Sequence, residues 1–519
     1  MPDSQVDVVV IGAGHNGLVA AALLARADLT VDVLEAAPVI GGACRTEYPF
    51  RNAPGLAAST GAYLLGLMPP ELPELLDISL PLVRRDPHYF LPTLDGRHLL
   101  LGGDRAQSRR LFAEFFTEAD ARADEALATE IGALRDDLAP AWVAEPMPVE
   151  ETAERFVRAP LREAFVDLVR GSAMDYLSRF GFVSETVMAM YAVTDGMPGL
   201  TGSPWSPGSG HNFLVHNMCR LPGAGGTWMV VRGGMGTVTT TLATAAAKAG
   251  ARIETSCPVT TITVDGGRAS GVVTGDGRQI MARTVLCCTD AFRIPGLLGG
   301  STPATLTDRV VEWARRSPGQ TMKVNLALSA LPKFAALTEE RGQHGTTVHL
   351  LPPPAADGSV ITALRQAFDA GTAGRVDVVP PLEWYLHSTL DPSLRDDAGN
   401  HSSALFVQGV PHEPAGSSWP AEKDGYVGRL LDALEGYAPG LRETIVDVDA
   451  MTPPEIREHF GITSANIHHV DNAISFVDRM PYRVGVDGVY AGAAGCHPAG
   501  SVIGCAGHNA ARAVLADLA

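Results

Sequence analysis

The sequence predicts a mixed α/β protein with more than one hydrophobic core, and three observations lead to that prediction. The chain has 519 residues, whereas single cores stop growing at about 250–300 residues. Apolar residues make up 46% of the chain and charged residues 19%, which is typical of folded globular proteins. Strand and helix patterns alternate near the start of the chain, and this alternation favours a parallel sheet.

The alternating pattern occupies the beginning of the chain. A β-branched run at 6–11 predicts a buried strand, the motif G-A-G-H-N-G covers 12–17, and an Ala- and Leu-rich helix is expected at 16–27. A second strand is expected at 30–34, and Glu35 stands at its end. A strand, a G-x-G-x-x-G turn, a helix, a second strand and a terminal acid form the unit that binds dinucleotides.

Each glycine of this motif has a mechanical role in such a unit. Gly12 permits the tight turn, Gly14 lets a pyrophosphate approach the backbone, and Gly17 lets the helix pack closely on the strand. The phosphates then lie at the helix N-terminus, where free N–H groups favour anions, and Glu35 is placed to accept hydrogen bonds from a ribose. The sequence therefore predicts dinucleotide binding, with a glycine-rich turn and a solvated Glu35 as the alternative.

A second glycine segment follows the second strand. Gly41 and Gly42 allow another close approach of the backbone to a ligand, and Arg45 can supply charge to a phosphate. An ordinary turn with a surface arginine is the alternative. The later segment R-G-G-M-G at 232–236 lacks the spacing and the following acid of a second unit, so the chain is expected to bind one dinucleotide without a separate NAD(P)H site.

The rest of the chain predicts a helical region and several further strands. Amphipathic helices are expected across 105–191, and a final helix is expected at about 504–518. The apolar stretch 56–83 and the following Arg84 and Arg85 are interpreted as a buried cavity entrance, with contact to a membrane as the alternative. Short strands are predicted at 252–255, 259–264, 270–274, 284–288, 323–329 and 404–409.

Charge and cysteine content exclude several classes of protein. Lys plus Arg is 40 and Asp plus Glu is 58, so the formal net charge is −18, which disfavours binding to nucleic acid or an anionic membrane. Seven cysteines without a CxxC spacing predict reduced thiols in the cytoplasm and neither a zinc site nor a redox dithiol. Neither a signal peptide nor a membrane span is expected, because no basic residue precedes Arg26 and apolar runs are short.

Four blocks along the chain form a combination that is more specific than any one of them. They are the unit that ends at Glu35, the pair Gly41-Gly42, the R-G-G-M-G segment, and the tail Y-A-G-A-A-G-C-H-P-A-G at 490–500. In this order they resemble the phytoene desaturase-like flavoproteins, a superfamily of FAD oxidoreductases. In particular, the chain is similar over almost its whole length to the subfamily named for a pyridine nucleotide-disulphide oxidoreductase domain.

The resemblance implies that the cofactor is FAD, bound in a glutathione-reductase-like domain of the Rossmann type. That domain would be discontinuous and assembled from residues 1–80, 225–300 and 470–519. Residues 81–224 and 301–469 would form an inserted α+β substrate domain with a helical part. The expected fold class is therefore α/β with two domains interleaved along the chain.

The resemblance also implies which residues approach the cofactor. Gly12, Gly14 and Gly17 would approach the pyrophosphate, and Glu35 would bind the ribose. The last helix is expected to point its N-terminus at the flavin ring, where it would stabilise negative charge. The other expected contacts, along the diphosphate–ribityl chain, at the adenine and at the flavin, are Gly41, Gly42, Arg45, Thr46, the backbone of Val259, Gly492 and the loop through Gly500.

Few side chains are candidates for catalysis. His497 lies in the loop expected near the flavin and is the first acid–base candidate, while His216 is expected to line the substrate cavity. For both, a structural role is the alternative. No metal site is predicted, because the neighbours His468 and His469 would point different ways and no carboxylates accompany them. Only Cys44 lies where a redox-active pair would be needed, so disulphide reductase chemistry is not expected.

Together these expectations indicate an FAD-dependent oxidoreductase. It would dehydrogenate an organic, apolar small molecule and pass the electrons to oxygen, a quinone or a carrier protein. Two alternatives stay open: a flavin-dependent isomerase or saturase of a polyene-like substrate, and a flavin-bearing protein that acts by binding other proteins.

Overall fold

Two large β-sheets organise residues 4–519, the part of the chain that the computed structural model describes. Each of these sheets has seven strands, and a third sheet is a two-stranded ribbon. In chain order the strands are β1 (Ser4–Ile11), β2 (Val31–Leu34), β3 (Leu82–Val83), β4 (Tyr89–Pro92), β5 (His98–Leu101), β6 (Val230–Val231), β7 (Arg252–Glu254), β8 (Val259–Asp265), β9 (Arg268–Thr274), β10 (Gln279–Cys287), β11 (Thr321–Leu328), β12 (Thr347–Leu350), β13 (Leu382–Tyr385), β14 (His401–Gln408), β15 (Ile445–Met451) and β16 (Val489–Ala491).

The helices include the predicted helical region and the predicted final helix. Six of them, α3 to α8, fill the expected region 105–191, and α17 begins one residue later than predicted. In chain order the helices are α1 (His15–Arg26), α2 (Glu71–Leu75), α3 (Arg105–Phe115), α4 (Glu118–Trp142), α5 (Val149–Phe156), α6 (Arg162–Arg170), α7 (Ala173–Ser178), α8 (Glu185–Tyr191), α9 (Ser209–His216), α10 (Gly236–Lys248), α11 (Ile294–Leu298), α12 (Ala304–Arg316), α13 (Val360–Thr372), α14 (Trp419–Tyr437), α15 (Leu441–Thr444), α16 (Pro453–Phe460) and α17 (Cys505–Leu518).

The first sheet is Rossmann-like. Its strand order is β7-β2-β1-β10-β9-β8, and β16 also pairs with β10. The pairs among β7, β2, β1, β10 and β16 are parallel, while β8 and β9 form the predicted antiparallel excursion. Val8, Val9 and Val10 of β1 are fully buried, as expected when both faces of a parallel sheet are covered. The turn from β1 into α1 lies at the carboxyl ends of the strands, where such sheets bind ligands.

Strand β10 is longer than predicted. It begins at Gln279 rather than at 284, because its first residues pair with β9 before the strand turns into the parallel part of the sheet. The predicted strands at 323–329 and 404–409 are confirmed as β11 and β14, with their ends shifted by one to three residues.

Alternation along its strands gives the second sheet one apolar face. The strand order is β15-β11-β14-β13-β12-β4-β5, with antiparallel pairs except between β12 and β4. Val324, Leu405 and Trp384 point into one core with Leu430 and Leu434 of α14. The residues between them along each strand project from the opposite face, because successive side chains of a strand alternate.

One row of this opposite face crosses four strands. The register pairs Lys323 of β11 with Phe406 of β14, Phe406 with Glu383 of β13, and Glu383 with His349 of β12. Directly paired residues project from the same face of a sheet, so these side chains form a row. All four are buried, and the row therefore faces the protein interior rather than water.

Helices α4 to α7 share a continuous hydrophobic core with the first sheet, whereas α3 packs on β5 of the second sheet. Phe165 and Leu168 of α6 belong to the same continuous core as Val9 of β1. Asn509 of α17 donates hydrogen bonds of 3.1 Å to the carbonyls of Trp142, the last residue of α4, and Ala144 just beyond it. Within residues 4–519, no helix is both long enough and apolar enough to cross a bilayer.

Candidate active site

A cavity of about 970 Å³ lies between the carboxyl end of the first sheet and the buried polar face of the second. Gly12, Gly14 and Glu35 line it where β1 and β2 end, and Lys323 and Glu383 line it at the second sheet. Ligand cavities usually have volumes of about 300–1,000 Å³, so this one can hold a large ligand. We call these two parts the nucleotide end and the substrate end.

The turn between β1 and α1 has the geometry predicted at Gly12 and Gly17. Gly12 has φ +103°, which suits glycine alone. A Cβ on Gly17 would lie 2.1 Å from the carbonyl oxygen of Gly12, so helix and strand do approach closely. A Cβ on Gly14 would meet no heavy atom within 4 Å, and Gly14 lines the cavity while Gly17 does not. Open space therefore lies above Gly14, at the start of α1.

Glu35 lines the nucleotide end, and the backbone fixes its carboxylate. The N–H of Ala13 donates to Oε2 at 2.8 Å, and the N–H of Ala37 donates to Oε1 at 2.8 Å. Each carboxylate oxygen has a further lone pair, so Glu35 can also accept hydrogen bonds from a ribose. Val259, the first residue of β8, lines the same part of the cavity.

The second glycine segment forms another wall of the nucleotide end. Gly41, Gly42 and Arg45 line the cavity, and both glycines have positive φ values of 117° and 58°. The Arg45 guanidinium lies 5.0 Å from the centroid of the Phe460 ring. Thr46 does not line the cavity; its hydroxyl donates to the Gly233 carbonyl at 3.0 Å and so ties this segment to the R-G-G-M-G turn.

Buried polar atoms at the nucleotide end provide a test of whether FAD fits. His15 Nε2 and Arg45 Nε are buried and have no hydrogen-bond partner within the described part of the chain. The first turn of α1 has no side-chain cap at Gly14, which leaves N–H groups free for an anion. Arg45 Nε and the free N–H groups of this turn are donors that line the same cavity as Gly14, so the residues present fit a diphosphate.

The tail reaches the cavity through different residues from the two glycines predicted. A Cβ on Gly492 would lie 2.9 Å from the Cβ of Ala510, and one on Gly500 would lie 2.3 Å from the Cα of His468. Both glycines serve close packing and neither lines the cavity. The lining residues of the tail are Ala493, Ala494, Ser501 and Val502. Ser501 and Val502 lie four and three residues before the first residue of α17, and α17 itself does not line the cavity.

The two histidines predicted as catalytic candidates lie in different places. His497 is 2% exposed and outside the cavity wall. Its Nε2 lies 3.0 Å from the Ala141 carbonyl, its ring packs 5.5 Å from Phe476, and burial lowers its pKa to about 4. His216 lines the cavity, with Nδ1 3.0 Å from the Asn212 carbonyl and a pKa lowered to about 4 by burial. Only His216 is placed to touch a ligand.

The substrate end has an ionisable wall that no sequence pattern indicated. Lys323 is 4% exposed, and burial lowers its pKa to about 7. Burial raises the pKa of Glu383 to about 8 and that of Asp195 to about 7. Arg85, which the sequence places in a cavity entrance, is 5% exposed and also lines the cavity. Period-2 alternation in β11 and β13 was the available signal, but it normally indicates a strand whose polar face meets water.

Across residues 4–519, no group of three or more His, Cys, Asp or Glu side chains is arranged to hold a metal ion. His468 and His469 both line the cavity, but His468 Nε2 lies 2.9 Å from the Pro198 carbonyl, which occupies that nitrogen.

The nucleotide end and the sequence together define the class of the protein. The sequence profile of the flavin-containing amine oxidoreductases matches residues 17–295, and the chain belongs to that family. It is an FAD-dependent oxidoreductase, as the four sequence blocks predicted.

Similarity to other proteins extends over nearly the whole chain. Pyridine nucleotide-disulfide oxidoreductase domain-containing protein 2 of Mus musculus is 33% identical over 99% of this chain and 94% of its own length. Hydroxyneurosporene desaturase of Cereibacter sphaeroides is 27% identical over 99% and 98% of the two chains. A limonene dehydrogenase subunit of Castellaniella defragrans is 25% identical over 99% and 95%. The predicted membership of the phytoene desaturase-like superfamily is confirmed.

Solved structures share the fold. An oxidoreductase from Methanosarcina mazei superimposes with a TM-score of 0.65 at 16% identity and covers 98% of this chain and 100% of its own. A putrescine oxidase variant superimposes with a TM-score of 0.60, also at 16% identity, over 99% of both chains.

Proposed function

We propose that the protein dehydrogenates an organic substrate at the substrate end and passes the electrons to oxygen, a quinone or a carrier protein. The observation that carries the proposal is the single cavity, because the glycine-rich turn and the second sheet line the same space. A substrate against the second sheet would meet the cofactor without leaving that space. The names of two relatives, a desaturase and a dehydrogenase, describe removal of hydrogen and support this direction.

The proposed domain division follows the two sheets. Residues 1–80, 225–300 and 470–519 would form a discontinuous glutathione-reductase-like FAD domain, and 81–224 and 301–469 the substrate domain. All seven strands of the first sheet fall within the first set of ranges, and all seven of the second sheet fall within the other. This distribution supports the division.

The residues proposed to hold FAD lie along the nucleotide end. The space above Gly14, the N-terminus of α1 and Arg45 would receive the diphosphate, Glu35 a ribose, and the backbone of Val259 the adenine. Bound FAD supplies the acceptor for hydride. This chain's contribution is therefore to fix the position of both molecules and to exclude water from the space between them.

Two side chains of the substrate end are placed to move a proton. Burial keeps the imidazole of His216 neutral at physiological pH, so its ring can accept a proton from a ligand. Lys323 has a pKa of about 7, so both of its protonation states are populated there and Nζ can donate or accept. His497 has no such route, because it lies outside the cavity.

The cavity wall indicates a substrate with an apolar body and a polar end. Leu64, Met190 and Phe406 supply apolar surface, whereas Lys323 and Arg85 supply charge. A wholly apolar substrate, as the sequence led us to expect, would leave those charges buried without partners, which is costly. We therefore propose an amphipathic substrate in place of the apolar one.

Untargeted mass spectrometry tests the proposed reaction without a known substrate. Holoprotein is incubated in air with a small-molecule cell extract, and flavin-depleted protein serves as the control. The proposal expects at least one extract component to lose two hydrogens only with holoprotein. A component that gains two hydrogens, or changes its retention time at constant mass, would favour a saturase or an isomerase instead.

A reducing compartment suits the cysteines of this chain. All seven are free and buried, and free thiols persist where glutathione and thioredoxin keep them reduced. We place the enzyme in the cytoplasm on this basis.

A further inference from the structure

The substrate end holds two buried side chains that can carry positive charge, Arg85 and Lys323, and nearby Glu383 favours the charged form of both. Lys323 Nζ has no hydrogen-bond partner in the described structure and lies 4.1 Å from the centroid of the Tyr63 ring. Arg85 donates from Nε to the Trp228 carbonyl at 2.9 Å and from Nη1 to the Thr347 hydroxyl. Among residues 4–519 neither side chain lies within 4 Å of a carboxylate oxygen in an ion pair, and both line the cavity.

The carboxyl groups of the same wall are hydrogen-bonded and partly protonated. Glu383 accepts at Oε1 from Nε2 of Gln408 at 2.9 Å and at Oε2 from the hydroxyl of Tyr385. Burial raises the pKa values of Glu383 and Asp195 to about 8 and about 7, so protonated forms of both are present at neutral pH. At neutral pH these two carboxyl groups therefore supply less than two full negative charges beside Arg85 and Lys323.

The positive charge that these carboxyl groups do not neutralise favours some classes of ligand over others. A buried cation without a partner carries an uncompensated desolvation cost, which a ligand bringing the missing negative charge would remove. A carboxylate also matches the planar donor geometry of a guanidinium. An amine would place a further positive charge beside Arg85 and the protonated form of Lys323, and a hydrocarbon would bring no negative charge to either.

We propose that the substrate carries a carboxylate, which binds Arg85 and Lys323 at the second sheet while its apolar part extends toward the nucleotide end. Leu64, Met190 and Phe406 supply apolar wall for that part. This inference names the substrate class of the proposed dehydrogenation and rests on that function.

Isothermal titration calorimetry with three matched probes tests the inference on the holoprotein. Octanoate, octanamide and octylamine share one apolar chain and differ only in the charge of the end group. We expect octanoate to bind at least about tenfold more tightly than octanamide, because hydrogen bonds to a charged group are stronger than neutral ones, and we expect octylamine to bind most weakly. Equal binding of octanoate and octanamide, or preference for octylamine, would overturn the inference.

Substitution of Arg85 and of Lys323 tests whether these two side chains cause the preference for octanoate. Lys323→Met removes a charge that has no hydrogen-bond partner, so the fold should persist, and Arg85→Met removes the other charge. We expect each to lower octanoate affinity by about tenfold or more and to leave octanamide affinity within about threefold. Arg84→Met is the matched control, because Arg84 is the exposed neighbour of Arg85 and should change neither affinity.

Flavin content and melting temperature, measured on each variant, separate misfolding from lost recognition. If Arg85→Met does not fold, the affinities of Lys323→Met alone test the inference. If Lys323→Met still prefers octanoate over octanamide as strongly as the wild type does, the inference is wrong. Failure of the proposed function is distinguishable, because a chain that binds no flavin contradicts that function whichever probe binds. A flavin-loaded chain without octanoate preference contradicts only the carboxylate inference.

Discussion

Replacing Gly14 or Gly17 with alanine is expected to damage the protein in two different ways. A Cβ at position 17 would lie 2.1 Å from the carbonyl oxygen and 3.2 Å from the carbonyl carbon of Gly12. Both are backbone atoms, so neither can rotate away. A Cβ at position 14 would meet nothing within 4 Å, and the local φ of −72° and ψ of 172° suit any residue.

The magnitudes follow from these distances. Alanine gains about 1 kcal/mol over glycine inside a helix, whereas overpacking against a fixed wall costs about 1–3 kcal/mol or more. Because the contact at position 17 is so short, we expect Gly17→Ala to lower the free energy of unfolding by about 2 kcal/mol net. Gly14→Ala should cost about 1 kcal/mol at most, through the weaker preference for alanine at an N-cap. Its methyl group would occupy the diphosphate space, so FAD affinity should fall by about tenfold or more.

Urea denaturation of flavin-stripped protein and FAD titration separate the two effects. Gly17→Ala should lower the urea midpoint without FAD, and Gly14→Ala should lower mainly the FAD affinity. If Gly14→Ala binds FAD as tightly as the wild type, the diphosphate does not lie above Gly14 and the assignment of the nucleotide end is wrong.

Three further variants test other parts of the site. The pKa of Lys323 is lowered to about 7 from 10.5, so the wild type loses stability as the pH falls from about 10.5 to about 7, while the unfolded lysine binds its proton. Lys323→Met should therefore have a higher free energy of unfolding than the wild type, measured by urea denaturation. The difference should be larger at pH 7 than at pH 10, and an equal difference at both pH values would contradict the burial of the amine. Arg45→Met should lower the affinity for FAD, measured by titration, and the salt dependence of that affinity, because it removes the positive charge proposed to face the diphosphate. An unchanged affinity would show that Arg45 does not contact FAD. His497→Leu should lose about 1–3 kcal/mol of stability with its hydrogen bond to Ala141, yet keep its turnover per bound flavin, and a fall in that turnover would return His497 to catalysis.

The nucleotide end was predictable because its signals are local. A positive φ at Gly12 and a close backbone approach at Gly17 are dictated by the turn itself, and the spacing to Glu35 follows from one strand–helix–strand unit. The helices between 105 and 191 were likewise predictable from their own apolar periodicity.

The substrate end was not predictable, because its residues meet only through the register of the second sheet. Lys323, Glu383 and His349 are far apart in sequence, and pairing across β11 to β12 sets them in one row. Alternation of polar and apolar residues shows that the polar residues share one face of the sheet. It does not show whether that face is exposed to water or covered by other parts of the protein. The position of His497 was not predictable for a related reason: its place in the loop does not reveal that its ring packs toward the Ala141 carbonyl.

Anaerobic absorbance titration of the purified holoprotein tests the central claim most directly. Amphipathic carboxylates and their neutral amides are added in turn while the visible absorbance of the flavin is followed. The account predicts one FAD per chain, and loss of its absorbance with at least one carboxylate, whose product lacks two hydrogens. A full complement of flavin that no compound bleaches would contradict dehydrogenation at the substrate end.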